Sequence, residues 1–224
     1  MDIKATSVDS LIIYFGHEID ERTAFNVQNA YHNLLSIKLK GIIEIIPSYC
    51  SIFIHYDIFE YNFNNLKQLL LDKLDVTTKI NKKSKLIEID VYYGSEVGFD
   101  LENISIKTKL SIEEIISIHS NKVYSVYAIG FLPGFAYLGD VDEKIIVPRL
   151  QTPRKIVPKG SIAIANKQTA VYPQDSPGGW NIIGKTTYNF FDRSLDNLSN
   201  IDVGNKIKFN CISKEQFLSQ GGVL

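Results

Sequence analysis

Six of the seven prolines and seven of the fourteen glycines in this 224-residue chain fall between Gly130 and Gly184, together with its single tryptophan, Trp180. Proline fixes φ and withdraws a backbone donor, and glycine opens dihedrals closed to other residues. A segment so dense in both cannot be built from long helices. Short strands joined by tight turns are the remaining option. The choice of cation also changes here. Lysine serves nearly everywhere else, yet two of the four arginines, Arg149 and Arg154, stand in Pro-Arg-Leu-Gln-Thr-Pro-Arg (148–154). An arginine carries a rigid, always-charged fork that a lysine cannot replace.

The chain ahead of this stretch has a different character. Leu11–Phe15 reads as a buried strand, and Asp20 opens a helix whose Val27, Ala30, Tyr31, Leu34 and Leu35 keep helical spacing up to Gly41. Ile42–Ile46 and Ser51–Tyr56 read as strands around Pro47-Ser48, and a second helix is expected near Asn64–Leu74. Residues 76–84 are polar and unpatterned, the best linker candidate. Beyond them Lys85–Tyr93 alternates as a strand, and Ser111-Ile-Glu-Glu114 is a capping box for a short helix carrying Ile112, Ile115, Ile116 and His119 on one face. Short strands are expected at 123–129, 161–165, 169–172, 180–184 and 206–212. The reading is a small α/β domain over 1–78, followed by a mainly β barrel domain over 79–224.

Composition closes several function classes. Twenty-four cationic side chains against 25 anionic ones leave a formal charge of −1, with none of the basic surplus that phosphate neutralisation requires of a nucleic-acid binder. No apolar run approaches the roughly 20 residues of a membrane helix, and the start lacks a signal-peptide pattern. Cys50 and Cys211 form neither a framework nor a metal motif, which suits reduced thiols in a cytoplasmic protein.

Three segments carry candidate chemistry. Gly179-Trp-Asn-Ile-Ile-Gly-Lys-Thr186 fits the phosphate-loop pattern letter for letter, but a turn precedes it, its interior is bulky and strand-prone, and no helix stripe follows, so a strand is expected instead. In Gly130-Phe-Leu-Pro-Gly-Phe-Ala-Tyr-Leu-Gly139, glycines would admit a ligand to the backbone, with Phe131, Phe135 and Tyr137 as walls; the alternative is an apolar loop packed on the barrel end. Asp175-Ser176-Pro-Gly178-Gly179 offers an anion cradle or an ordinary hairpin connection. Arg149 and Arg154 suit a carboxylate or phosphate, or else structural ion pairs. His119 reads as a hydrogen-bonded core histidine or a helix C-terminal partner.

Taken in order, Gly130–Gly139, Pro-Arg-x-x-x-Pro-Arg (148–154), Val-Pro-Lys-Gly-Ser (157–161), Gln168-Thr169 with Tyr172-Pro173, and Ser-Pro-Gly-Gly-Trp-x-x-Ile-Gly (176–184) resemble the carboxyltransferase C/D-type family. Its members include the B subunit of 5-oxoprolinase, the sporulation-kinase inhibitor KipI and proteins labelled allophanate hydrolase subunit 1. Pro47–Ser51, Tyr92-Tyr93-Gly94, Gly98-Phe-Asp-Leu101 and the position of His119 ahead of Tyr124–Val126 extend the likeness over nearly the whole chain. Lys185, Leu150 and Lys159 depart from it, where the family favours Arg, Arg and a small residue. The resemblance implies a cyclophilin-like barrel and a non-autonomous subunit. With 5-oxoprolinase subunits A and C, such a chain would use ATP to open 5-oxoproline to glutamate. It leaves two alternatives, inhibition of a sensor histidine kinase and a carboxyltransferase-like activity. On this reading His119 is catalytic, while Arg149, Arg154, Phe131, Tyr137, Ser176, Gly178, Gly179 and Trp180 bind substrate, and all share one open pocket at one end of the barrel.

Overall fold

The computed structural model describes residues 1–74, 84–195 and 199–224. Two compact units emerge, Met1–Lys83 and Ser84–Leu224. Most of the stretch expected to be the linker lies outside the described residues.

In the first unit, β1 (Asp2–Ser7), β2 (Ser10–Tyr14), α1 (Glu21–Ile37), β3 (Ile42–Pro47), β4 (Ser51–Tyr56) and α2 (Phe63–Lys73) follow in chain order. The strands make one antiparallel sheet in the order β1-β2-β4-β3. Asp20 caps α1 by accepting from the Thr23 N–H at 2.7 Å. Val27, Ala30 and Leu34 from α1, with Leu66 and Leu70 from α2, bury against Leu11, Ile13, Ile52 and Ile54 of the sheet. The helix stops earlier than Gly41. Lys38 takes the left-handed conformation at φ 48°, ψ 52°, and Gly41 at φ +82° makes the turn into β3. β1 is a strand that the sequence pattern does not announce, because only Ile3 of its six residues is buried.

The second unit holds β5 (Leu86–Val91), α3 (Leu101–Thr108), α4 (Ile112–Ser120), β6 (Val123–Ile129), β7 (Ala136–Gly139), β8 (Arg154–Val157), β9 (Ser161–Ala165), β10 (Gln168–Val171), β11 (Ser176–Gly178), β12 (Asn181–Lys185), β13 (Lys206–Cys211) and α5 (Lys214–Ser219). Seven strands form a mixed sheet, β12-β9-β10-β7-β6-β13-β5, antiparallel except for β13 against β5. Just past β5, Tyr92 exchanges both backbone hydrogen bonds with Lys185 at the end of β12, at 2.9 and 2.8 Å. The sheet thereby curls into a near-closed barrel. Its interior is filled by Ile89, Leu138, Ile162, Ile164, Val171, Ile183, Ile207 and Phe209. The capping box of α4 is made in both directions, Ser111 Oγ accepting from Glu114 N–H and Glu114 Oε2 from Ser111 N–H.

Strand periodicity gives this sheet two chemically different faces. Along β9, Ile162 and Ile164 point into the barrel, while Ala163 and Ala165 point out. Along β10 and just beyond, Thr169 and Val171 point in, while Ala170 and Tyr172 point out. In β12, Ile183 is inside and Ile182 outside. The outer alanines leave room for a second apolar layer of Phe135, Val157, Tyr172 and Trp180, with Leu132 and Tyr137 packed on it. The two-stranded ribbon β8–β11 contributes Val157 to this layer.

Candidate functional site

The stretch rich in Pro, Gly and Arg folds onto that outer face. In the ribbon, Arg154 stands opposite Gly178 and Ser176 opposite Val157. The Leu150 N–H donates to the Gly179 carbonyl at 2.7 Å, and Asn181 Nδ2 donates to the Pro148 carbonyl at 2.8 Å. Residues 148–154 are thus stitched along 178–181. The rings follow. Phe135 meets Tyr137, Tyr172 and Trp180 edge-on at 4.8, 5.3 and 5.9 Å, and Tyr137 lies 6.0 Å from Trp180. Arg149 places its guanidinium over the Trp180 ring, 5.6 Å from the centroid, a cation–π contact.

Tyr172 is the junction of the cluster. It is 2 % exposed, and its phenol sits so close to Gly178 that a Cβ there would stand 2.3 Å from the hydroxyl oxygen. Burial raises its pKa, opposed by the Trp180 backbone N–H and by the charges of Arg149 and Arg154. Burial also raises the pKa of Tyr137, again opposed by Arg149. Both arginine charges therefore act on the Tyr172 phenol.

Arg154 is not a free fork. Its Nη2 donates to Asp100 Oδ1 at 2.8 Å, and Asp100, 4 % exposed, accepts the Ile182 backbone N–H on its other oxygen at 2.6 Å. Asp100 stands at the N-cap of α3 but makes no capping bond, because both of its oxygens are engaged elsewhere. Sequence reasoning does not single out Asp100 or Tyr172 as site residues, although both lie within the quoted motifs. A usable signal exists in Asp100, a good capping residue directly ahead of α3 whose side chain does not cap it.

Phe131, Tyr137, Arg149, Arg154, Ser176, Gly178, Gly179 and Trp180 all belong to this one face or its rim. Phe131 is 62 % exposed at φ +74° and meets Phe135 edge-on. Ser176 is buried, with its Oγ unpartnered. His119 is the correction. It is fully buried on the inner side of the sheet, stacked on Phe209 with centroids 5.0 Å apart, and so cannot line a pocket on the outer face. Thr169 donates to the Ala163 carbonyl at 3.0 Å, so its oxygen accepts from His119 Nε2–H at 2.9 Å; Nδ1 then accepts from the Tyr93 hydroxyl at 2.8 Å. Burial pulls the His119 pKa down to about 3, which keeps the ring neutral. The alternation of strand faces is the reason: Thr169, its partner, points inward, whereas Ala170 and Tyr172 point outward.

A separate open cleft of about 460 Å³ is lined by Lys122, Asp140, Asp142, Glu143, Lys144 and Lys167 among others. The phosphate-loop pattern is a strand: Asn181–Lys185 pairs with β9, and Lys185 Nζ donates to the Val223 carbonyl at 2.8 Å. Residues 179–186 therefore do not fit a nucleotide. Among the described residues, no group of three or more His, Cys, Asp or Glu side chains is placed to hold a metal ion, and no helix is long and apolar enough to cross a membrane.

The whole run from the first sheet through the Gly130–Gly184 face matches the family described as carboxyltransferase domain, subdomain C and D, over residues 1–200. The chain belongs to that family. It is 35 % identical over 219 residues to the B subunit of 5-oxoprolinase from Bacillus subtilis (strain 168), covering 93 % of this chain and 91 % of that protein. Among solved structures, TTHA0988 superposes with a TM-score of 0.81 at 28 % identity over 92 % of this chain. This chain spans 40 % of the length of TTHA0988. The Kluyveromyces lactis urea carboxylase superposes with a TM-score of 0.74 at 15 % identity, over 94 % of this chain and 22 % of that one, and so shares the fold alone. The family assignment agrees with the ordered motifs from Gly130 to Gly184.

Proposed function

We propose that the chain is the B subunit of an ATP-dependent 5-oxoprolinase, which opens 5-oxoproline to glutamate together with subunits A and C in the cytoplasm. The observation that carries this reading is the 35 % identity to the Bacillus subtilis protein, which runs through both units and the Gly130–Gly184 motifs rather than one local patch. The relatives' shared name favours an enzyme subunit over an inhibitor of a histidine kinase. In this proposal the barrel is cyclophilin-like, and its outer face presents Arg149, Phe131, Tyr137, Ser176, Gly178, Gly179 and Trp180 as substrate-binding residues to a site completed by a partner, with Arg154 engaged by Asp100 behind them.

The chemistry sets the division of labour. A lactam carbonyl is stabilised by resonance and is a poor electrophile, so ring opening near neutral pH needs activation as well as positioned groups. Residues 179–186 offer no phosphate cradle, and ATP use therefore belongs to the assembled complex. This chain's contribution is to bind and orient a carboxylate beside a water-poor aromatic surface, where charge-assisted contacts are strongest. His119, expected from sequence to be catalytic, is assigned to holding β10 and β9 in register from inside the barrel.

The test is ATP-dependent glutamate release from 5-oxoproline. The expected result is none with the purified chain and turnover once subunits A and C are added. Robust turnover by the chain alone, or none from the reconstituted three-subunit complex, would overturn the proposal.

A further inference from the structure

The two arginines of the 148–154 segment occupy different electrostatic positions. Arg154 and Asp100 cancel one another: the carboxylate is 4 % exposed, 2.8 Å from Nη2, and held from its other side by the Ile182 N–H. The remaining Nη1 of Arg154 is enclosed without a partner, so no ligand reaches it from solvent without displacing protein. Arg149 is the opposite case. Its backbone is clamped on both sides, through the Pro148 carbonyl to Asn181 and through the Leu150 N–H to Gly179. Its side chain is exposed, rests on Trp180, and makes no ion pair or hydrogen bond among the described residues. A fixed backbone, a flat platform and an uncompensated fork make a preorganised anion contact.

We infer that Arg149, working from the Trp180 ring, is the group that recognises the substrate's carboxylate, and that Arg154 and Asp100 are its positioning pair rather than a second ligand fork. The inference rests on the 5-oxoprolinase reading for the identity of the substrate. Arg149, Arg154 and Asp100 together carry a single positive charge, which suits a monoanion. Beside the ribbon pairing of Arg154 with Gly178, three further hydrogen bonds keep residues 148–154 against 178–182, and the Arg154–Asp100 pair is the one that reaches across to the start of α3. Releasing it leaves that end of the segment held by the ribbon pairing of Arg154 with Gly178 alone, which loosens the placement of Arg149. The Trp180 platform also explains why the cation is arginine, since a planar guanidinium stacks on a ring and still offers its edge to a carboxylate.

Trp180 is the only tryptophan in the chain, so its fluorescence reports directly on this contact. The full-length chain is titrated with 5-oxoproline and with its uncharged carboxamide, 5-oxoprolinamide. A saturable change is expected with the acid, with the amide binding at least tenfold more weakly. Arg149→Gln is expected to lose at least tenfold in affinity for the acid, and in the complex with subunits A and C to raise KM at least tenfold with a smaller change in kcat. Arg154→Gln is expected to lower affinity and the urea midpoint together. Arg154→Lys keeps an ion pair with Asp100 and is expected to restore both, because a lysine replaces a charge partner but not a bidentate fork. The assignment is overturned by any of four results: no saturable change in the wild-type chain, equal binding of acid and amide, wild-type affinity in Arg149→Gln, or a folded Arg154→Lys that still loses tenfold. If the acid binds in the expected pattern but the three-subunit complex releases no glutamate, the 5-oxoprolinase reading fails while the carboxylate site stands. If the complex turns over and Arg149→Gln changes neither KM nor binding, the site assignment alone fails.

Discussion

His119 Nε2 lies 2.9 Å from Thr169 Oγ1, fifty positions away, and the pair marks the inner face of the strand whose next residue, Ala170, lies under the aromatic cluster. The contact joins α4 to β10. Thr169 carries it on to the Ala163 carbonyl of β9, so one neutral imidazole holds two strands of the wall against which Tyr172 and Trp180 pack. Its place in the core fixes its chemistry: a ring buried among Tyr93, Tyr124 and Phe209 supports that wall from inside the barrel.

The buried imidazole makes stability depend on pH. The folded-state pKa near 3 lies below the ordinary value of 6.5, so between these values the unfolded chain binds the extra proton and stability rises with pH. The contribution is complete above about pH 6.5 and is lost as the pH falls toward 3. His119→Phe keeps the stack on Phe209 and removes the titration. Its urea midpoint is expected to change less with pH over this window than that of the wild type. Equal slopes for the two proteins would show that His119 is not the titrating group.

Removing the carboxylate that pairs with Arg154 carries a large cost. Asp100→Ala strands a partly buried guanidinium and leaves the Ile182 N–H without its acceptor. The expected loss is on the order of 3 kcal/mol in chemical unfolding. A loss below about 1 kcal/mol would place the pair with ordinary surface ion pairs.

Two adjacent glycines should respond differently to one added methyl group. At Gly178 a Cβ would stand 2.3 Å from the Tyr172 hydroxyl oxygen, whereas at Gly179 its nearest neighbour would be Pro153 Cγ at 3.6 Å. Gly178→Ala is expected to destabilise by about 1–3 kcal/mol, as overpacking does, and to shift Trp180 emission. Gly179→Ala is expected to stay within about 0.5 kcal/mol of the wild type. Equal effects at the two positions would mean that Tyr172 is free to yield.

Lys185 ends a strand and spends its ammonium on the Val223 carbonyl. Lys185→Ala is therefore expected to leave the nucleotide affinity of the assembled complex within about twofold of the wild type. A tenfold loss, about 1.4 kcal/mol, would restore the phosphate-loop reading of residues 179–186.

Elements with local signals are legible in the chain alone. The α4 capping box, the Asp20 cap, the alternation of β5 and the strand character of residues 181–185 follow from propensity and spacing, and much of the Pro- and Gly-rich stretch from Gly130 to Gly184 does fold together on one face of the barrel. Weakly buried β1, and β7 and β8 within turn-rich sequence, carry too little periodic signal to be read. The face that each residue joins is settled by the packed fold. His119 shares a helical stripe with isoleucines and also falls in a family motif, and both facts fit a core residue as well as a catalytic one. The pairing of β10 with β9 and β7 is what turns Thr169 inward and Tyr172 outward. Likewise Arg149 and Arg154 are equivalent in sequence. They part company because the fold brings Asp100, 54 positions before Arg154, to one guanidinium and an aromatic ring to the other. Partners at that separation are set by sheet register and burial, which a local pattern does not encode.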